Sequence, residues 1–321
     1  MRDHTTKLTL LKALADGEFH SGEALGELIG VSRAAISKHI KGIQEWGLDV
    51  YRVQGKGYKL AQPLNMLDDS KLKAPGADSS LELIPIIGST NQHLLDKGDS
   101  LESGSVCIAE YQAAGRGRRG REWVSPFGAN LYLSMYWRLD AGMAAAMGLS
   151  LVVGVAIVEA LEEMGVEGIK LKWPNDLYHN DKKLAGILVE LSGQSGGAAN
   201  IVIGMGLNLS MDPNTSGIGQ PWTSLKEVCG GQVPDRNELA QALINAWYKA
   251  LDEYELKGMT DFVGRWNRLD NFLGRSVRLI IGPREIEGTV KGINEQGAVL
   301  LETENGIEAY IGGEISLRKA D

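Results

Sequence analysis

Cysteine is scarce in this chain, which has only Cys107 and Cys229 among 321 residues. Two cysteines so far apart exclude a disulfide framework and a zinc site, and we expect two reduced thiols. Long apolar runs are also missing: the most apolar segment, residues 143–158, is interrupted by glycine and serine and is shorter than the ~20 residues of a bilayer span. No secretory signal is visible. We therefore expect a soluble cytoplasmic protein without a membrane partner, in which this segment forms a core helix.

Positive charge is in deficit, since 33 Lys and Arg residues face 41 Asp and Glu residues, for a net charge of −8. This balance excludes a protein that binds nucleic acid over its whole surface. The charge is uneven, because residues 1–60 carry a net +2 and the rest carries −10. With 43% hydrophobic residues, the chain is long enough for two or three domains, and its N-terminal end differs in charge from the rest.

The first 62 residues have the pattern of a winged helix. Apolar residues follow a helical period over residues 5–14, over residues 22–29 and again after Ser32. Ser21 and Ser32 are placed to cap the second and third of these helices. Two short β-runs around a glycine-rich tip follow at residues 50–60, as in a hairpin. The sequence therefore predicts a helix-turn-helix with a wing over residues 1–62.

The third predicted helix carries polar and basic residues that suit DNA. It can lie in the major groove, where Arg33 and Ser37 reach base edges while Lys56 of the wing meets phosphates. The candidate DNA-binding residues are Ser32, Arg33, Ser37, Lys38, Lys41 and Lys56. A helical hairpin for protein contact is the alternative. One such module binds weakly, so a dimer on a two-fold symmetric operator is implied.

The rest of the chain divides into three parts. Turn-forming residues over 63–80 predict a linker. Strands then alternate with helices, the latter near residues 144–164 and 236–256, so residues 81–270 are predicted to form an α+β domain on one mixed sheet. Strands interrupted by glycine predict a small β-barrel over residues 271–321.

An arginine-rich segment, residues 115–121, matches G-x-G-x-x-G by its letters. A dinucleotide site needs a strand before this motif and a helix after it, and Ser125-Pro126 cannot open a helix, so we reject that interpretation. Four arginines on a glycine-rich loop instead suit a polyanion such as a triphosphate. Trp123 could pack on a base. A solvated basic loop or an RNA contact is the alternative.

A second group of polar residues follows a predicted strand. Asn175 and Asp176 could hold Mg²⁺ or orient a nucleophile, and Lys183 could neutralise charge between a carboxylate and a phosphate. Each of them is equally well explained as a turn residue or a surface lysine. Asn208 is equally ambiguous, although Gly204 and Gly206 nearby allow a ligand to approach the backbone closely.

Taken together, these segments resemble the bifunctional biotin protein ligases that also repress the biotin operon. The matching segments are Gly88-Ser89-Thr90-Asn91, residues 110–121, Lys172-Trp173-Pro174-Asn175-Asp176, residues 182–188 and Gly204-Met205-Gly206-Leu207-Asn208. The resemblance covers nearly the whole chain. It implies a central domain similar to class II synthetases and an SH3-like C-terminal barrel.

The resemblance also implies a two-step reaction. Biotin and MgATP would give biotinyl-5′-AMP, and a lysine of the biotin carboxyl carrier protein of acetyl-CoA carboxylase would then accept the biotin. The adenylate would also promote a homodimer that binds biotin operon operator DNA. A loop over residues 211–222 would close over the adenylate and bring Trp222 onto adenine.

By the same resemblance, individual residues acquire roles. Those for biotin are Ser89, Thr90, Asn91, Gln112, Arg116, Gly117, Arg118, Lys183 and Gly186. Those for the nucleotide are Arg118, Arg121, Trp123, Asn175, Asn208 and Trp222. Lys183, Asp176 and Arg118 would be catalytic, with Asp176 also the candidate magnesium ligand. A transcription factor that senses biotin without turnover, and a ligase for lipoate or octanoate, are the alternatives.

Overall fold

The computed structural model describes residues 4–140, 146, 148–192, 198–311 and 315–319. The winged helix has three helices and a hairpin: α1 (Thr5–Leu14), α2 (Gly22–Ile29), α3 (Arg33–Gln44), β1 (Val50–Val53) and β2 (Gly57–Leu60). Ser21 and Ser32 accept hydrogen bonds from Ala24 N and Ala35 N, at 3.0 and 3.2 Å, which caps α2 and α3 as predicted. The predicted helix-turn-helix and wing are confirmed.

The central part of the chain combines strands and helices. In chain order they are β3 (Leu81–Leu83), β4 (Ile86–Ile87), α4 (Thr90–Lys97), β5 (Val106–Ala109), β6 (Tyr111–Gln112), β7 (Asn130–Leu139), α5 (Leu149–Glu163), β8 (Lys170–Lys172), β9 (Asp176–His179), β10 (Lys182–Ser192), β11 (Ala199–Asn208), α6 (Leu225–Val228), α7 (Arg236–Lys257) and α8 (Thr260–Leu269). Seven strands form one sheet in the order β3-β5-β7-β11-β10-β9-β8. Its only parallel pair in the described residues is β3 with β5, so the predicted mixed sheet is confirmed.

The helix predicted near residues 144–164 begins at Leu149 in the structure. Of the predicted segment, residues 144, 145 and 147 lie outside the described residues. The helix predicted near residues 236–256 is confirmed as α7, whereas α4, α6 and α8 were not predicted. No helix of the described residues has the length and hydropathy needed to cross a bilayer.

One face of the sheet packs on the hydrophobic core and the other lines a cavity. In β11, Ile203, Met205 and Leu207 point into the core formed with α5 and α7. Gly204, Gly206 and Asn208 alternate with them and lie on the other face, where the strand lines a cavity. The period of two along β11 therefore separates the residues that stabilise the sheet from those that can meet a ligand.

The C-terminal part is a five-stranded antiparallel sheet. Its strands are β12 (Ser276–Ile281), β13 (Arg284–Ile293), β14 (Val299–Thr303), β15 (Gly306–Tyr310) and β16 (Ile315–Lys319), in the order β15-β14-β13-β12-β16. Val277, Leu279 and Val290 join the core of the central part. The predicted small C-terminal β-domain is confirmed.

The winged helix packs against the segment that carries the arginines. Trp46, at the end of α3, stacks on Phe127 with ring centroids 5.6 Å apart, and Phe127 N donates to Trp46 O at 2.9 Å. Tyr111 lies 6.3 Å from the same indole. These contacts join the hydrophobic core of the winged helix to both ends of the segment 111–127.

A buried ion pair ties the linker to this region. Arg236, the first residue of α7, contacts Glu110 at 2.7 Å, and both side chains are at most 5% exposed. The same guanidinium donates to the backbone oxygens of Asn65 and Asn130. Glu110 in turn accepts a hydrogen bond from Leu67 N at 2.6 Å. The buried pair is therefore one of the contacts that fix the linker to the central part, together with hydrogen bonds from the linker to Asn237 and Gln241 of α7.

Candidate active site

A cavity of about 920 Å³ opens on the face of the central sheet opposite α5. All fifteen residues expected to bind biotin, nucleotide or magnesium line it: Ser89, Thr90, Asn91, Gln112, Arg116, Gly117, Arg118, Arg121, Trp123, Asn175, Asp176, Lys183, Gly186, Asn208 and Trp222. They come from segments more than one hundred residues apart in sequence, and the fold brings them together.

Three glycines form the floor of this cavity. A Cβ atom at Gly204 would clash with the Asn91 side chain, and one at Gly206 would clash with the Trp123 indole. At Gly186 it would lie 3.1 Å from the Trp123 ring. The glycines therefore let Asn91 and Trp123 lie directly on the strands, which explains why the sequence has glycine at alternate positions here.

A β-bulge turns Lys183 toward the cavity. The pairing of β10 with β9 shifts between Lys183 and Ala185, and Leu184 and Ala185 both belong to the core. Without the extra residue, Lys183 would point to the same side as Ala185. With it, Lys183 Nζ lies 2.9 Å from Asp176 Oδ1, and the two side chains are 14% and 15% exposed. The expected pair of lysine and carboxylate is thus assembled on one face.

One end of the cavity is lined mainly by uncharged hydrogen-bonding groups. Gln112 Oε1 accepts from Thr90 N and Thr90 Oγ1, at 3.0 and 3.1 Å. Ser134 Oγ donates to Asn91 Oδ1 at 2.5 Å, and Asn91 Nδ2 donates to Glu190 Oε2 at 2.8 Å. Thr90, Asn91 and Gln112 line the cavity, and Ser134 and Glu190 hold Asn91 in position from behind them. Ser134 and Glu190 were not singled out from the sequence, because a lone serine and a lone glutamate within apolar strands carry no motif.

Arg116 holds the arginine-rich loop against this end. Its guanidinium donates to Gln92 Oε1 at 2.7 Å and to Glu190 Oε2 at 2.9 Å. Since Glu190 also accepts from Asn91, one carboxylate connects the loop with α4. The charge of Arg116 is thereby neutralised, which leaves this half of the cavity without excess positive charge.

The next arginine of the loop reaches the opposite half. Arg118 Nη1 donates to Asn175 Oδ1 at 3.1 Å. Burial lowers the pKa of the Arg118 guanidinium, and the nearby Asp176 opposes this shift. Within the loop, Arg119 adopts a left-handed φ of 60° and Gly117 N donates to Arg121 O at 2.7 Å. The loop therefore forms a tight turn that displays its arginines.

The segment before α6 covers the cavity from the other side. Lys183 N donates to Pro221 O at 3.0 Å, and Thr223 N donates to Lys183 O at 2.9 Å. Trp222 is thereby fixed beside the catalytic candidate Lys183. Asn208, which is 3% exposed, donates through its amide to Thr223 O at 3.1 Å. In this structure Asn208 thus holds the covering segment.

The far end of the cavity contains residues that were assigned no role from the sequence. They are Lys172, Tyr178, Asp181, Phe272 and Arg275. Lys172 Nζ donates to Tyr178 Oη at 3.0 Å, and burial raises the pKa of the Tyr178 phenol. Asp181 follows at the turn between β9 and β10. Phe272 and Arg275 belong to the segment that leads into β12, so the C-terminal part contributes to the cavity.

A permanent metal site is not built into the described residues, which contain no group of three His, Cys, Asp or Glu side chains able to hold an ion. Asp176 is the carboxylate that contacts Lys183, and magnesium that enters with ATP needs only one or two protein carboxylates in addition to phosphate oxygens. The donor set therefore fits a magnesium ion that arrives with the nucleotide.

The residues expected to bind DNA lie together on the winged helix. Arg33, Lys38 and Lys41 are exposed along α3, and Ser37 is half-buried between them. Ser32 caps the same helix. In the wing, Lys56 Nζ lies 5.6 Å from the ring of Phe19, which brings the wing beside the turn before α2. The structure thus has five of these residues on or directly before α3 and the sixth in the wing.

Three family models match the chain. The Biotin/lipoate A/B protein ligase family matches residues 83–208, the Biotin protein ligase C terminal domain matches residues 272–318, and an HTH domain matches residues 6–59. The chain is 53% identical over 322 residues to the bifunctional ligase/repressor BirA of Escherichia coli strain K12, covering all of both chains. It is 30% identical to that of Bacillus subtilis over 311 residues, 94% of this chain and 95% of the relative.

A solved structure agrees with these relatives. The structure of the biotin protein ligase from Aquifex aeolicus in complex with biotin and ATP is 32% identical in sequence and aligns with a TM-score of 0.66. The alignment covers 75% of this chain and 99% of the Aquifex chain. The fold, the cavity and the full-length relatives thus lead to one conclusion. The chain belongs to the family of bifunctional ligase/repressors, in which a biotin protein ligase is joined to an N-terminal helix-turn-helix domain.

Proposed function

We propose that the cavity joins biotin and ATP to biotinyl-5′-AMP, after which biotin passes to a lysine of a biotin carboxyl carrier protein of acetyl-CoA carboxylase. The observation that carries this proposal is the convergence of Lys183, Asp176 and Arg118 at the middle of a single cavity. Polar neutral groups lie on one side of this centre and cationic groups on the other. This distribution suits an uncharged ureido ring at one end and a polyphosphate at the other.

The first step brings two anions together. The biotin carboxylate must attack the α-phosphate of ATP, and the new anhydride bond forms as the bond to pyrophosphate breaks. Lys183 supplies positive charge at this point, and Arg118 and Arg121 supply more from the loop. Asp176 orients the Lys183 ammonium through their 2.9 Å contact. Magnesium bound to ATP, held by Asp176, would neutralise further phosphate charge.

The second step needs a neutral amine. A lysine ammonium with a reference pKa near ~10.4 holds its proton at neutral pH. Asp176 is our candidate for orienting or deprotonating that amine, since its carboxylate lines the cavity beside Lys183. The segment around Trp222 and the arginine-rich loop would shield the anhydride from water, with Trp123 or Trp222 packed on adenine.

The winged helix would repress by binding operator DNA as a dimer. The segment 111–127, which contains the arginine-rich loop, contacts the winged helix through Phe127, so ordering of this segment by the adenylate would lower the cost of dimerisation. The carrier protein would compete with the second copy of the chain for the surface that this segment forms. Sedimentation equilibrium with and without biotinyl-5′-AMP tests this part, and equal dimerisation constants would refute it.

Biotin-dependent exchange of labelled pyrophosphate into ATP tests the first step directly. We expect exchange by the wild type and none by Lys183→Ala. The matched control is Lys182→Ala, because Lys182 is the adjacent lysine but points outward to Glu227 at 2.9 Å. Exchange by the wild type would exclude a sensor without turnover, and competition with lipoate or octanoate would identify the acid. Normal exchange by Lys183→Ala would refute its role.

Transfer and retention are tested by mass spectrometry. A carrier domain incubated with this protein, biotin and MgATP should gain one biotinyl group. Arg118→Gly should release the adenylate faster and label other lysines, because its guanidinium links the loop to Asn175 at 3.1 Å. An unchanged rate of adenylate release would contradict this prediction.

A further inference from the structure

Arg275 is a polar residue of the cavity that the mechanism above does not use. It belongs to the segment leading into β12, and it lines the far end of the cavity together with Phe272. Its side chain is 32% exposed, so a ligand can reach it. We propose that Arg275 binds the β- and γ-phosphates of ATP, and that the C-terminal part thereby takes part in nucleotide binding. This inference rests on the proposed adenylation.

The order of groups along β10 gives the direction in which a polyphosphate would extend. Glu190 is close to Asn91 at the neutral end, Gly186 lies under Trp123, and Lys183 meets Asp176. A strand advances ~3.3 Å per residue, so the turn before β10 lies beyond Lys183 on the side away from the ureido end. Arg275 is held at that turn. An α-phosphate at Lys183 would therefore place the outer phosphates toward Arg275.

The guanidinium of Arg275 is fixed before any ligand binds. Its Nη1 donates to Asp181 Oδ1 at 2.8 Å and to Asn271 O at 3.0 Å, and its Nη2 donates to Asp181 Oδ2 at 3.0 Å. The ring of Phe272 lies 4.7 Å from the guanidinium carbon. Arginine has five N–H donors. Among the described residues, acceptors are found for three of those of Arg275, which leaves two for a ligand. A fork oriented in this way suits phosphate oxygens.

Charge in this half of the cavity supports a polyanion. Lys172 and Arg275 line the far end, Lys183 lies between them and the neutral end, and Arg118 and Arg121 line the same cavity from the loop. Asp176 and Asp181 offset part of this charge. At the neutral end the single arginine, Arg116, is paired with Glu190. The excess of cations is therefore confined to the end where Arg275 lies.

The proposal makes a prediction that separates phosphate binding from a structural role. Once pyrophosphate has left, biotinyl-5′-AMP has no β- or γ-phosphate for Arg275 to contact. In the full-length chain, Arg275→Ala should therefore raise the KM for ATP in pyrophosphate exchange by about tenfold or more, the size expected for losing a hydrogen bond to a charged group. The KM for pyrophosphate should rise in parallel. Biotin binding without ATP, release of biotinyl-5′-AMP and transfer to the carrier should stay unchanged.

Two further variants complete the experiment. Arg275→Lys keeps the charge but loses the fork, so its KM for ATP should lie between those of wild type and Arg275→Ala. If Arg275→Ala fails to fold, this variant alone still tests the proposal. The control is Arg268→Ala, since Arg268 makes an equivalent two-point contact with Glu162, at 2.9 and 3.0 Å, away from the cavity.

The results that would overturn the proposal are distinct from failure of the adenylation itself. An unchanged KM for ATP in Arg275→Ala or in Arg275→Lys would refute phosphate binding. If Arg275→Ala weakened biotin binding and speeded the release of biotinyl-5′-AMP as much as it raised the KM for ATP, Arg275 would only anchor the C-terminal part. Absence of biotin-dependent exchange in the wild type would instead refute the proposed function.

Discussion

The buried pair of Glu110 and Arg236 allows a quantitative prediction. Glu110→Gln keeps the shape of the side chain but leaves the Arg236 charge without a counter-charge in a site at most 5% exposed. Breaking a buried pair in this way typically costs 3–5 kcal/mol, as an order-of-magnitude range. The backbone acceptors Asn65 O and Asn130 O remain, and a Gln Oε1 can still accept from Leu67 N. We therefore expect a cost near the lower limit, about 3 kcal/mol.

Urea unfolding followed by tryptophan fluorescence measures this cost. The matched control is Glu302→Gln, because Glu302 pairs with Lys291 at the same 2.7 Å separation but with side chains 50% and 39% exposed. Exposed pairs contribute less than about 1 kcal/mol, so the control should remain close to wild type. The double variant Glu110→Gln/Arg236→Met should recover stability, since it removes the uncompensated charge.

Two outcomes would refute this reasoning. Equal costs for Glu110→Gln and Glu302→Gln would mean that burial does not amplify the loss of an ion pair here. A double variant less stable than Glu110→Gln alone would mean that Arg236 stabilises the fold mainly through its backbone hydrogen bonds.

Three other predictions concern a glycine, an aspartate and a cysteine. Gly204→Ala should weaken biotin binding by about tenfold or more in calorimetry, because its Cβ would clash with Asn91, whereas Gly264→Ala, with nothing within 4 Å, should not. Burial raises the pKa of Asp270 from 3.8 to about 6, so the unfolded carboxyl loses its proton first and stability falls between about pH 4 and 6. Asp270→Asn should therefore raise the free energy of unfolding in urea by about 2–3 kcal/mol above pH 6 and by little at pH 4. Equal increases at both pH values would contradict this prediction. Burial raises the pKa of Cys107 to about 12, so iodoacetamide at pH 8 should label it only after unfolding, and labelling of the native chain would count against this.

The parts of the fold with strong local signals were predictable. Ser21 and Ser32 mark helix starts because their hydroxyls satisfy free backbone N–H groups, and the structure has both caps. By contrast, α4 was missed because its eight residues contain only two leucines, too few to define a helical period. Its N-cap, Ser89, was assigned to biotin alone, although its hydroxyl also begins the helix.

The site was predictable where motifs are dense and not where it depends on packing. The loop around Arg118 and the residues around Asp176 carry recognisable patterns. The bulge that turns Lys183 into the cavity has no such signal, because the extra residue is defined only by pairing with β9. Glu190 and Arg275 were not predicted for a similar reason. Their partners, Arg116 and Asp181, are 74 and 94 residues away in sequence, so only the tertiary structure brings them together.

The stacking of Trp46 on Phe127 has a practical consequence for anyone who shortens this protein. A ligase fragment that lacks the winged helix would expose part of Phe127, whose side chain is fully buried in the intact chain and lies six residues after the arginine-rich loop. Such a fragment would be prone to aggregate, and its loop would lose a rigid support. Replacing Phe127 with a polar residue would restore solubility without restoring that support. A minimal biotinylation reagent is therefore better made by replacing the basic residues of α3 than by deleting the winged helix.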